Sequence, residues 1–97
     1  MFVTVTRAEF KPGRMQEVRD EIARLAGEMT RLEGYRGTET LRDAENENAY
    51  LFLLRWENKQ AWQAYRDGLY RREVVPNFEP LADVFHAIGQ YELAHVL

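Results

Sequence analysis

With 97 residues, 45% apolar and 30% charged, the chain fits one folded domain, residues 1–97, and leaves no room for a second. A net charge of -3, from 13 basic and 16 acidic residues, carries no nucleic-acid footprint. The lack of cysteine excludes disulfides, thiolate nucleophiles and cysteine metal sites.

Residues Phe2 to Phe10 alternate and are rich in Val, Thr and Phe, which predicts a strand that Pro12-Gly13 breaks. From Arg14 to Leu32 the period changes. Met15, Val18, Ile22, Leu25, Ala26, Met29 and Leu32 recur at helical spacing, and the charged residues take the other side. Asp20 and Arg24 are spaced for a helical ion pair. Gly34 sits where a helix end favours glycine. Tyr35–Asp43 and Ala49–Trp56 read as a hairpin joined by a polar turn over Ala44–Asn48. Asn58 is an N-cap for a helix from Lys59 to Asp67. Gly68 loosens that helix, Leu69–Val75 adds another turn or two, and Pro76 stops it. Asn77–Asp83 reads as an irregular connection and Phe85–Leu97 as the last strand. The order is βαββαβ, an α+β ferredoxin-like arrangement: a four-stranded antiparallel sheet with both helices on one face.

The N-terminal segment lacks the apolar run of a signal peptide, and no segment is long enough to span a membrane. The expectation is a cytoplasmic protein with neither membrane nor nucleic acid as a partner. Arg66, Arg71 and Arg72 read as partners of a helix dipole rather than as a phosphate site.

The third strand points to an oligomer. Tyr50, Phe52, Leu54 and Trp56 face one way, while Leu51 and Leu53 face the other. A sheet with one wet face should alternate apolar with polar. Helices cover only one side, so the other needs a second surface. A second copy of the chain supplies it, with the two sheets packing in a homodimer; a loop or the C-terminal strand folding over is the alternative. Burial is worth about 25 cal/mol per Å² of apolar surface, so a wet face would forgo several kcal/mol.

Most motifs that carry chemistry are missing. There is no phosphate-binding glycine loop and no GxSxG. His86 and His95 are nine apart, wrong for two ligands on one helix or one strand face, and read as ordinary strand histidines; no metal site is expected. What remains is aromatic. Trp56 ends the third strand, Trp62 and Tyr65 follow on the second helix, and Tyr70 lies past Gly68. If helix packs on sheet, Trp56 and Trp62 can meet at a mouth that suits a flat aromatic ligand. By composition alone the same aromatics read as core.

The stretch Leu54-Arg-Trp-Glu-Asn-Lys-Gln-Ala-Trp62, between a strand and a helix, resembles the signature of the antibiotic biosynthesis monooxygenase domain family. Phe10-Lys-Pro-Gly-Arg14, Glu33-Gly-Tyr-Arg-Gly37 and Glu39-Thr-Leu-Arg-Asp43 extend the resemblance over nearly the whole chain. The resemblance implies a dimer with packed sheets and a cavity between sheet and second helix. It also implies a small aromatic or quinol-like substrate, oxidised by molecular oxygen with no cofactor. Trp56 matches a working tryptophan of that subgroup, and Thr6 is the expected catalytic partner on the first strand. Phe52, Trp62, Tyr65 and Arg7 are the expected substrate-binding residues. Phe52 stands where that subgroup has an oxygen-binding asparagine. A haem-degrading subgroup has an asparagine at the position of Thr6 and an iron-binding histidine on the second helix. No histidine lies between Trp56 and Asp83 here. Haem degradation therefore ranks below the cofactor-free reading, and a non-catalytic ligand-binding dimer is the other alternative.

Overall fold

The computed structural model describes residues 1–95. Four strands, β1 (Phe2–Phe10), β2 (Tyr35–Arg42), β3 (Ala49–Trp56) and β4 (Ala82–Glu92), form one antiparallel sheet in the order β2-β3-β1-β4. Helix α1 (Met15–Met29) follows β1, and helix α2 (Lys59–Tyr65) follows β3. The chain then runs through a π-helical segment (Arg66–Val74), a short helix α3 (Val75–Phe78) and a 3-10 turn (Glu79–Leu81) into β4. This is the ferredoxin-like arrangement expected from the order of elements.

The amphipathic stripe of α1 explains its seating. Val18, Leu25 and Met29 are buried, and Met15, Ile22 and Leu32 pack beside them. They meet one face of the sheet, formed by Phe2, Ala8 and Phe10 of β1 and Leu54 and Trp56 of β3. Leu69, Val74 and Phe78, from the helical run after α2, close the same core on the same face of the sheet. Capping fixes the ends. Asn58 Oδ1 accepts from the Ala61 N–H at 2.9 Å, as its type suggests. Gly34 does not end α1, whose C-cap is Thr30; it takes φ +80 in the turn that enters β2, where its carbonyl accepts from the Glu57 N–H at 2.7 Å. The polar turn is held by Asp43 and Asn46, whose side chains accept from the backbone N–H groups of Glu45 and Asn48.

Some elements differ from their sequence expectation. α1 is shorter than Arg14–Leu32, because Arg14 and Thr30 are its caps. Asp20 and Arg24 do not pair: Arg24 turns to Glu21 and across to Glu73, while Asp20 accepts from Gln16. Pro76 does not end the helical run. It occupies the first turn of α3, where the missing N–H costs nothing. β4 starts at Ala82 and ends at Glu92, so His95 lies outside it; Val96 and Leu97 of the expected strand lie outside the described residues.

β3 is apolar on both faces, as expected. Its Leu51 and Leu53 lie opposite Arg7 and Val5 on β1, on the face away from the helices. Leu41 of β2 joins Leu51 there, and Tyr91 of β4 joins Val3. Leu41 and Tyr91 are exposed. That face is an apolar patch, with the Arg7–Glu9 and Arg55–Glu39 ion pairs among its residues.

Candidate functional site

The core does not close completely between the sheet, α1 and the π-helical segment. A cavity of about 280 Å³ remains. Ile22, Leu25 and Met29 of α1 form one wall, and Phe52 and Leu54 of β3 form the floor. Val74, Phe78 and Phe85 close one end. The polar groups on the lining are all hydroxyls: Thr6 of β1, Tyr35, Thr38 and Thr40 of β2, and Tyr65 and Tyr70. Among the described residues, no carboxylate, imidazole or cation lines it.

Local geometry places each hydroxyl. Strand alternation sends Thr6 inward opposite Phe52, and Thr38 and Thr40 inward opposite Leu54 and Phe52. A register shift between Tyr35 and Thr38, with Gly37 at φ +112, sets Tyr35 beside Trp56. The Tyr35 and Thr38 hydroxyls then meet at 2.6 Å.

The π-helical segment supplies the rest. At 3.6 residues per α-helical turn, residues five apart point to different sides. Bonding from i to i+5 widens the turn and stacks them. Three pairs show it. Tyr65 and Tyr70 have ring centroids 5.5 Å apart, Leu69 and Val74 are both buried, and Arg66 and Arg71 both approach Asp67. Both tyrosines therefore reach the cavity, where an α-helix would have turned one away. Burial pushes the Tyr65 phenol pKa up, with smaller contributions from Tyr70 and Tyr35. Burial raises the Tyr70 phenol too, and Glu79 adds to it. Both stay neutral at physiological pH and can donate a hydrogen bond.

The sequence-derived site residues separate. Thr6, Phe52 and Tyr65 line the cavity. Trp56 does not: it is 0% exposed, packed against Tyr65 in a tilted arrangement at 4.8 Å and against Tyr35 edge-to-face at 5.6 Å between ring centroids. Its indole N–H donates to Thr4 Oγ1 at 3.3 Å. A ligand cannot touch it without moving a tyrosine. Nor do the two tryptophans meet as expected, because Trp62 packs on Phe2 at 5.5 Å. Trp62 lines a second, smaller opening of about 260 Å³ that shares Thr6, Leu54, Tyr65 and Tyr70 with the first. Arg7 is on the opposite face of the sheet, where its guanidinium donates to Glu9 at 3.0 Å. Its odd position on a strand whose even residues face the helices excludes it from the cavity.

Sequence reasoning passed over Tyr35, Thr38 and Thr40. The available signal was the hydroxyl pair at Thr38 and Thr40, spaced for one strand face. It also passed over α1 as a cavity wall.

A model described as antibiotic biosynthesis monooxygenase matches residues 1–77. The chain belongs to that family. A search of curated proteins found no match. Among solved structures, a Deinococcus radiodurans protein described as an antibiotic biosynthesis monooxygenase superposes with a TM-score of 0.85 at 12% identity, covering 100% of this chain and 96% of that one. A variant of SnoaB, a cofactor-independent oxygenase from Streptomyces nogalater, gives 0.77 at 19% identity, covering 99% and 95%. A variant of MhuD, with two manganese protoporphyrin IX bound per active site, gives 0.77 at 21%, covering 100% and 98%. At these identities the likeness establishes the shared family fold, not the chemistry performed on it.

Proposed function

We propose that the chain is a cofactor-independent monooxygenase that oxidises a small fused-ring phenol or quinol with molecular oxygen. The observation that carries this reading is the cavity itself, an apolar space whose polar groups are all neutral hydroxyls. Such a lining accepts a flat aromatic body and offers hydrogen bonds to a ring oxygen. As the substrate loses a proton, Tyr65 and Thr6 donate to the oxygen where charge accumulates, from a largely apolar lining. The electron-rich anion then reduces oxygen. One oxygen atom enters at a ring carbon as a carbonyl, and the other leaves as water with that carbon's single hydrogen and the phenolic proton, the substrate supplying the electrons. Phe52, at the floor, shapes the pocket. Trp56 acts as a positioning residue behind Tyr65 and Tyr35 rather than as a group in contact with substrate.

The test is oxygen uptake by purified protein over a panel of fused-ring phenols and quinols, with a metal chelator present. Uptake that survives the chelator and falls in Tyr65→Phe supports the reading. No uptake with a compound that demonstrably binds overturns it.

Haem chemistry stands second. A haem iron needs a strong axial ligand, and the cavity offers only phenols and the Met29 thioether. The residues do not fit an imidazole-held haem. A Soret shift on adding haemin would reverse this order.

The apolar outer face of the sheet supports a homodimer as the working form. Val3, Val5, Leu51 and Leu53 lie on it together, in register across β1 and β3. Light scattering on wild type and Leu53→Glu tests this: a dimer that becomes a monomer agrees, and a wild-type monomer at micromolar concentration does not.

A further inference from the structure

The second opening has what the first lacks. Where the hydroxyl-lined cavity holds no ion, this one is lined by the Arg66 guanidinium, with Thr4 and Gln90 from the sheet. The two are neighbours: Thr6, Leu54, Tyr65 and Tyr70 line both. Arg66 is held in place from two sides. Its Cζ lies 5.0 Å from the centroid of the Trp62 ring. Its Nε and Nη2 donate to the two carboxylate oxygens of Asp67, at 2.9 and 3.1 Å. That pairing leaves the Nη1 hydrogens without a partner among the described residues, on a group with five donors. Arg71 stands 3.9 Å from the same carboxylate, so the cluster of two arginines and one aspartate keeps a net positive charge.

We infer that the second opening is an anion subsite, and that the preferred ligand is a fused-ring aromatic acid. Its rings occupy the hydroxyl-lined cavity and its carboxylate reaches Arg66 Nη1, with Gln90 and Thr4 as neutral partners. Trp62 serves as the platform that orients the guanidinium. This deepens the function proposed above and rests on its ring-binding cavity.

Calorimetric titration with hydroxynaphthoate and naphthol, which differ by the carboxylate alone, tests it on wild type, Arg66→Gln and Asp67→Asn. Hydroxynaphthoate is expected to bind wild type about tenfold more tightly than naphthol, the order of one charge-assisted hydrogen bond at a half-exposed site. Arg66→Gln removes that preference and leaves naphthol binding within about twofold of wild type. Asp67→Asn, which releases two more donors, tightens hydroxynaphthoate alone. Added salt weakens the acid and not the phenol. If the acid binds no more tightly than naphthol, or Arg66→Gln weakens both alike, the anion subsite is wrong while the ring-binding cavity stands. If neither probe binds, both are wrong.

Discussion

Replacing Trp56 should damage the fold before it damages any chemistry. The side chain is wholly enclosed, with its ring centroid 4.8 Å from that of Tyr65 and 5.6 Å from that of Tyr35. Truncation to alanine removes that contact area and leaves a void, at a cost of about 3–5 kcal/mol. A domain of this size has about 5–15 kcal/mol in total, so Trp56→Ala should be marginally folded at best. Trp56→Phe is the informative variant. It keeps an aromatic ring behind Tyr65 and loses one hydrogen bond, whose 3.3 Å length marks it as weak. Its net worth is about 0.5–1.5 kcal/mol, and the smaller ring adds a packing loss of similar order. At about 4–8 °C per kcal/mol, the melting temperature should fall by roughly 5–20 °C. Thermal unfolding gives that shift, and oxygen-uptake kinetics well below the transition give kcat and KM. Positioning through Tyr65 predicts a modest change in both. A Trp56→Phe protein with wild-type stability and no turnover would refute the reasoning, since Trp56 would then have to touch the substrate.

Two glycines should respond oppositely to alanine. At Gly34, φ is +80 and an added Cβ would lie 2.6 Å from the Ala61 side chain, so Gly34→Ala should cost more than about 1 kcal/mol by urea denaturation. At Gly68 φ is not positive and the added Cβ meets only the flexible end of Arg72, at 3.4 Å, so Gly68→Ala should stabilise by about 0.4–1 kcal/mol. Alkaline stability should follow Tyr65, whose raised pKa makes its contribution complete below the ordinary tyrosine value of 10.0 and lost as pH climbs towards the folded-state value. Unfolding free energy should therefore fall above pH 10 by at most about 1.4 kcal/mol per pH unit for this group, and Tyr65→Phe should flatten the slope. Since no carboxylate or imidazole among the described residues lines the cavity, kcat should rise with pH along the substrate's own ionisation and move with it across a substrate series. A limb fixed near neutral pH for every substrate would reveal an enzyme base.

The fold was legible because its signals are local and strong. The period-two run of β1, the apolar stripe of α1 and the Asn58 cap each act within a few residues, and each takes its expected role; Gly34 has the left-handed conformation, but in the turn before β2 rather than at the end of α1. The site was legible in part. Thr6 and Phe52 follow from strand alternation, whereas Arg7 fails the same alternation and falls on the other face. Trp56 and Trp62 separated because each indole has other aromatic partners, Trp56 with Tyr35 and Tyr65 and Trp62 with Phe2. The π-helical segment was hidden. Gly68 signalled a loosened helix, and nothing in the order of residues around it distinguishes a wider turn from a frayed one. The pairing of Tyr65 with Tyr70, which builds the hydroxyl wall, depends on that turn. Leu51 and Leu53, by contrast, announce a second apolar face whatever the helices do.

The most direct test of the central claim is product mass after turnover of a fused-ring phenol under isotopically labelled oxygen gas, with a chelator present. The account predicts one labelled oxygen atom in the product, formed by wild type and lost in step with activity in Tyr65→Phe. A product whose new oxygen carries no label would mean that the atom came from water, and cofactor-independent monooxygenation would be the wrong description of this cavity.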